Sequence, residues 1–421
     1  MIEAIVIGAG QAGLAASYHL ARRGIEHLVL ERGGVGETWR SQRWTSFVLN
    51  TPNWMSLLPG ESEVAATRDE FLPLAAFVAY LQTYADGRGL PIRTGTTVTT
   101  VEAQSGSFAV SIRSEAGDEV LRARSIVVAS GGQRVPRIPA IAHDLPPGIR
   151  QLAAADYRDP ASLPPGAVLV VGSAQTGVQV VEDLLAAGRT VYLCTSAVGR
   201  FPRRYRGRDV LEWLSLVGLF DIPIEQLPDP SVRFLATAIV SGVGPLGHTV
   251  SLQGLAAQGA ILLGRPARVS GDRISLDPTV GRNVAVGDRV SAETKIQSDD
   301  GLRALGVPLP PIGPDDPADQ PHPDPLSIPS RAELDLESAG VGSVIWTTGF
   351  SGDFGYLPGS ILDDGGRPVQ VHGVTPMPGV FCLGLPWMAR RRSGLISGVD
   401  GDAAFVVERL AEQIAGSSTA G

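Results

Sequence analysis

The sequence predicts an α/β protein built from two Rossmann-like dinucleotide-binding domains, and three observations predict it. A glycine-spaced turn, Gly8 to Gly13, follows the apolar run Ile2 to Ile7. A second turn of the same build, Gly172 to Gly177, follows Ala167 to Val171. Between them the stretch "IRTGTTVTTVEAQSGSFAVSIRSEAGDEVLRARSIVVASGG" alternates apolar and polar residues around turn signals, the pattern of a three-stranded meander followed by a buried strand, Ser125 to Ala129.

The elements follow in order. A strand (Ile2 to Ile7), the first turn, a helix from about Leu14 to Arg23 and a strand (His27 to Leu30) closed by Glu31 make a βαβ half. Gly8 allows the tight turn, Gly10 lets the backbone approach a pyrophosphate, and Gly13 permits close helix packing; Gln11 and Ala12 complete the candidate cradle at the helix N-terminus. The Glu31 carboxylate can accept both hydroxyl protons of an adenosine ribose and would repel a 2′-phosphate, so this site suits FAD or NAD and not NADP. Tyr80 to Arg88 reads as the end of another helix. Dense prolines and glycines from Val135 to Pro165 place a domain boundary near Pro165.

The second turn keeps its outer glycines, Gly172 and Gly177, with Gln175 and Thr176 beside them, but puts Ala174 in the middle, where a methyl group loosens the approach to a pyrophosphate. No acid ends its second strand. Instead "CTSAVGRFPRRYRGR" brings the hydroxyls of Thr195 and Ser196 and the guanidinium forks of Arg200, Arg203 and Arg204, a set suited to the phosphorylated ribose of NADPH or, alternatively, to a solvated basic face. Residues 208–257 read as interrupted helix without a motif, and residues 306–329, with nine prolines, read as an extended surface connection. A strand in "SVIWTTGF", a helix from about Gly394 to Ala415 and a disordered tail from Gly416 to Gly421 finish the chain.

Composition narrows the function. With 43 acidic against 35 basic residues the net charge is −8, which gives no positive field for nucleic acid or an anionic membrane. Two cysteines, Cys194 and Cys382, lie far apart in apolar segments, so neither a disulfide framework nor a CxxC pair is expected. Without an export signal or an apolar run long enough to span a bilayer, a reduced cytoplasmic protein is expected. The six histidines show no ligand spacing, and no metal site is expected.

The two turns, the strand endings "VVASGG" and "WTTGF", and "GVFCLGLPWMARRRSGLISGVDGDAAF" together resemble the two-dinucleotide-binding-domain flavoproteins, and among them the class B flavin-containing monooxygenases. The resemblance implies a discontinuous FAD domain (1–165 and 330–421), an inserted NADPH domain (166–305) and a proline-rich connection (306–329). It assigns Thr38 and Trp39 of "GVGETWR", Val98 and the strand-end residues Ala129, Gly131, Thr348, Gly349 and Gly384 to cofactor binding. It places Asn50 near the flavin C4a as the catalytic residue, and has Gly394 and Leu395 begin a helix that faces the flavin pyrimidine. Asn50 serving only a turn before Pro52, and Trp39, Trp44, Trp54 and Trp387 serving only as core, are the structural alternatives.

Three departures matter. The family's FxGxxxHxxxY fingerprint falls at "LPPGIRQLAAADYRDP", where Tyr157 remains and Ala153 takes the histidine position. The tyrosine-proline-glycine and aspartate typical of Baeyer-Villiger enzymes are missing after Trp39, which disfavours ketone oxidation. Cysteines spaced for disulfide reduction are missing too. The expected activity is NADPH-dependent reduction of FAD followed by transfer of one atom of O2, through a C4a-(hydro)peroxyflavin, to a small amine or sulfur compound. An NAD(P)H oxidase or reductase that releases H2O2 or serves another acceptor, and a flavoprotein binding or sensing module, are the alternatives. The expected partners are O2 and a small-molecule substrate, with homo-oligomerisation left open.

Overall fold

The computed structural model describes residues 1–418 except 235, 243, 245, 246 and 315. Two sheets organise it. In the first, the strands run in the order Ile92–Arg93, His27–Leu30, Ile2–Ile7 and Gly117–Val128, all parallel. The last of these is 12 residues long and serves two neighbourhoods. Its first half pairs antiparallel with Ser107–Ser114, which pairs with Thr97–Gln104; its second half pairs parallel with Val380–Cys382. The last strand of the meander and the buried strand are thus one strand rather than two, and the exposed residues give way at Ala123 to nearly continuous burial where parallel neighbours flank both sides.

The second sheet is wholly parallel, in the order Ile261–Leu263, Val191–Cys194, Ala167–Val171, Val341–Trp346, Arg150–Ala153. This moves the domain boundaries. Arg150–Ala153 and Val341–Trp346 were expected in the first domain, yet their only sheet partners among the described residues lie in the second. Glu333–Asp335 likewise pairs with Arg273–Leu276 of the second unit. The chain passes between the units at Val135–Pro136 and Phe350–Ser351, which pair antiparallel.

The described residues of the 306–329 stretch are more than a surface connection. They cross the long helix Val280–Ala304, and the carboxylate of Asp319 is buried against Arg200, Ser291 and Lys295. The proline-rich composition is satisfied by this anchoring instead of by regular structure.

The first helix spans Gln11–Arg22, starting three residues before the expected Leu14 because the glycine turn itself supplies the first helical turn. It packs on the C-terminal helix Val399–Ser418. That helix begins later than expected: Gly394 sits at φ +86° and a 3-10 turn, Ile396–Gly398, intervenes. Its end overruns the expected tail, since residues 416–418 are helical; residues 419–421 lie outside the described residues.

Candidate active site

The sequence folds both glycine turns to the same plan. A Cβ on Gly13 would stand 1.8 Å from the Gly8 carbonyl oxygen, and one on Gly177 2.0 Å from that of Gly172, so in both units the helix touches its own turn and only glycine fits. Gly10 differs: a Cβ there meets nothing within 4 Å. Its openness faces the cavity, leaving room for a ligand against bare backbone at the helix N-terminus. The matching residue of the second turn, Ala174, has nearly the same backbone (φ −76°, ψ −175°, against −80° and −174°), so its methyl occupies the corresponding approach.

Glu31 ends its strand with the carboxylate buried. One oxygen accepts from the Ala9 N–H (2.8 Å) and the other from the Gly33 N–H (3.0 Å), which orients it and leaves lone pairs for further donors. The equivalent strand end in the second unit carries Thr195, whose hydroxyl donates to the Leu263 carbonyl and accepts from Asn283. Ser196 closes on Ser173, its N–H donating to the Ser173 hydroxyl at 2.9 Å.

Between the units lies a cavity of about 470 Å³. It collects most of the expected site. Gly8, Gly10, Gln11, Ala12, Glu31, Thr38, Trp39, Val98, Ala129, Gly131, Gly384, Gly394 and Leu395 line it from the first unit, as does Asn50 from that unit's loop after Ser41, and Gln175 and Thr176 line it from the second. The Trp39 indole N–H donates to Gln11 Oε1 (3.0 Å), tying "GVGETWR" to the glycine turn. Asn50 is held twice: its carbonyl accepts from Arg203 Nη1 (2.8 Å), and its Oδ1 from Gln179 Nε2 (2.8 Å).

Several expected residues lie elsewhere. Gly13, Gly172 and Gly177 do not line the cavity, their task being close packing. The Thr348 hydroxyl donates to the Arg137 carbonyl, and the Gly349 carbonyl accepts from the Arg137 N–H, both at the crossing between units. Ser196, Arg200 and Arg203 are also outside it.

The phosphate role expected of Arg200 and Arg203 is corrected. Arg200 is buried and ion-paired with Asp288 (2.5 Å) and Asp319 (3.3 Å). Arg203 is fully enclosed, ion-paired with Asp209 (2.5 Å) and stacked on Phe71. Burying a guanidinium demands a carboxylate, and these forks are already committed. Of the three, only Arg204 keeps a substantially exposed side chain.

The structure adds residues that sequence reasoning missed. Gln179 is buried, lines the cavity, and its Oε1 has no hydrogen-bond partner among the described residues. Its place one helical turn after Gln175 was the available signal. Arg43 also lines the cavity, with nothing in its local sequence to mark it.

At the altered fingerprint, Ala153 is buried at the end of its strand, and the neighbouring Tyr157 takes part in the contact that joins the two units. The Tyr157 hydroxyl donates to Asp183 (2.5 Å), and the Ser46 hydroxyl donates to the other oxygen of the same carboxylate (2.6 Å). Burial together with that carboxylate raises the Tyr157 pKa far above the usual phenol range.

Cys194 and Cys382 end strands of different sheets, and burial pushes each thiol up to about 12, the state of inert core residues. No grouping of three or more metal-ligating side chains occurs among the described residues. No helix among them is long and apolar enough to cross a membrane.

Two glycine turns whose helix N-termini meet at one cavity, a buried strand-end acid beside the first and two cysteines on different sheets fit an oxidoreductase of the dinucleotide-binding kind. The profile of the pyridine nucleotide-disulphide oxidoreductases matches residues 5–215, half of the chain, and the protein belongs to that family. The family's name does not bring disulfide chemistry with it, given the two separated and buried thiols. Over 97% of its length the chain is 28% identical to an uncharacterized CzcO-like oxidoreductase of Geobacillus kaustophilus, covering 98% of that protein. It is 32% identical to the indole-3-pyruvate monooxygenase YUCCA1 of Oryza sativa over 58% of this chain and 60% of that one. In fold it is similar to a flavin-containing monooxygenase from Stenotrophomonas maltophilia (TM-score 0.62, 20% identity, 98% of both chains). An ornithine N-hydroxylase from Kutzneria is similar too (TM-score 0.63, 14% identity, 98% of this chain and 99% of that one).

Proposed function

We propose that the chain is a flavin monooxygenase that holds FAD on the first glycine turn, takes hydride from NADPH presented by the second, and transfers one atom of O2 to a small soft nucleophile, an amine or a sulfur compound. The observation that carries this reading is the shared cavity, in which Gly10 and Glu31 of one unit face Gln175, Thr176 and Gln179 of the other. When bound, FAD supplies hydride acceptance and oxygen activation.

The chain's own residues supply the rest. The open backbone at Gly10 and the first N–H groups of helix Gln11–Arg22 fit a pyrophosphate, and the remaining lone pairs of Glu31 fit ribose hydroxyls. Gln179 occupies Asn50 Oδ1, which leaves the Asn50 amide N–H groups as donors toward the reacting centre. The unpartnered Gln179 Oε1 fits an amide donor such as a nicotinamide carboxamide. Trp39, Phe47 and Leu49 give the chamber apolar walls that exclude water. Neutral amides and apolar walls suit orientation and shielding more than proton transfer.

The test is anaerobic reduction of the flavin-loaded protein with NADPH and, separately, NADH, then admission of O2 with panels of amines and sulfides. Preferential bleaching by NADPH followed by an oxygenated product supports the proposal. Reoxidation with stoichiometric H2O2 and no product across both panels overturns it in favour of an oxidase.

A further inference from the structure

The arginines around the cavity differ in what balances their charge. Arg134 lies 3.4 Å from an Asp353 carboxylate oxygen, and Arg32 sits in the field of Glu31, Glu37 and Asp353. Arg203, behind Asn50, is ion-paired with Asp209. Arg43 has no such partner: no carboxylate among the described residues lies within ion-pair distance of it. Among the described residues its one hydrogen bond runs from Nη1 to the Gln42 carbonyl at 2.9 Å. The guanidinium carbon rests 5.2 Å from the ring centroid of Trp39 and 5.6 Å from that of Phe47.

We infer that Arg43 is an anion subsite of the cavity, receiving the carboxylate of a small substrate whose apolar body lies along Trp39, Phe47 and Leu49. The inference rests on the cavity being the reaction chamber proposed above. Arg43 is half-buried at the cavity wall with no counter-ion among the described residues, and a guanidinium so placed gains charge-assisted hydrogen bonds from a bound anion. Burial pushes Arg43 down to about 10, so it stays cationic at neutral pH while lacking a partner. Its aromatic seat restrains the planar group, and Nε and Nη2, which have no acceptor among the described residues, form the fork that matches a carboxylate. The same loop that carries Arg43 carries Asn50, so a carboxylate held by one sets the depth at which the rest of the molecule meets the other. A nucleotide phosphate shares this chemistry, and the experiment separates the two sources.

The full-length, flavin-loaded protein is titrated calorimetrically with phenylacetate and indole-3-acetate and with the corresponding neutral amides, for the wild type, Arg43→Gln and Arg43→Lys. Flavin content and NADP+ affinity are measured on each. The wild type is expected to prefer each acid over its amide by about tenfold or more, the range of a charge-assisted hydrogen bond. Arg43→Gln should bring that ratio to about one and Arg43→Lys should keep part of it, with amide binding, flavin content and NADP+ affinity unchanged. Equal binding of acids and amides by the wild type overturns the inference. So does an Arg43→Gln protein that loses flavin or NADP+ affinity while keeping its preference for acids, which would make Arg43 a phosphate ligand. Because binding is read without turnover, acid preference without oxygenation would leave the subsite standing and overturn the monooxygenase proposal alone.

Discussion

Gly10→Ala separates the folding role of the first turn from its binding role. The residue already has φ −80° and ψ −174°, which alanine adopts freely, and the new Cβ meets no atom within 4 Å. The variant should therefore fold as well as the wild type, with flavin-free stability unchanged or raised by about 0.4–1 kcal/mol through the reduced entropy of the unfolded chain. Binding should suffer instead, because the methyl group enters the space through which a pyrophosphate reaches the backbone. Losing one hydrogen bond to a charged phosphate costs about 1.5–3 kcal/mol, which is about 10- to 150-fold in the Kd for FAD. Gly13→Ala is the contrasting case. Its Cβ would lie 1.8 Å from a backbone oxygen, so the flavin-free protein itself should be destabilised or fail to fold. The assay is thermal unfolding of both variants without flavin, with the flavin-to-protein ratio and Kd measured on reconstitution. If Gly10→Ala retains FAD with wild-type affinity, the turn does not cradle the cofactor and the assignment of the first site fails.

Three further outcomes are expected. Ala174→Gly removes the methyl from the second turn and should lower the KM for NADPH severalfold in steady-state flavin reduction, with little effect on FAD content. Arg203→Ala leaves Asp209 buried without its main partner and should cost about 3–5 kcal/mol in denaturant unfolding; a variant of wild-type stability with a selectively raised KM for NADPH would restore the phosphate role rejected above. Glu182 accepts a hydrogen bond from His248 and raises its pKa above the ordinary 6.5. The protonated form is thus favoured in the folded state, so this pair's stabilisation is complete below about pH 6.5 and fades as pH rises through the raised value. Unfolding midpoints across pH 5.5 to 8.5 should show that slope, small for a half-exposed pair, and His248→Gln should remove it.

The local elements were legible because they rest on short-range rules. Strands Ile2–Ile7 and His27–Leu30, the two glycine turns and the meander follow from periodicity and from turn chemistry written within a few residues. Glu31 was legible for the same reason, since its strand end and its glycine turn are neighbours in the βαβ unit. The helix from Gly394 was misplaced because a 3-10 turn beginning two residues after a glycine at positive φ has no composition of its own.

What the sequence by itself determined is the local chemistry on offer: an acid at the end of the strand after a glycine turn, bare glycine at a helix N-terminus, and two cysteines far apart in apolar segments. What only the tertiary structure decided is which residues share a space. The paired residues of Arg150–Ala153 and Val341–Trp346 are 193 positions apart, as in Ser343 with Arg150, yet join one sheet through pairing that no local pattern encodes. Arg200 and Arg203 looked like phosphate ligands until Asp288, Asp319 and Asp209 were found to hold them, because the partner of a charge is set by the fold and not by its neighbours in the chain. By the same principle Arg43, one arginine among many in the sequence, became distinct only when the fold laid it against two aromatic rings at the cavity wall with no acid in ion-pair distance among the described residues.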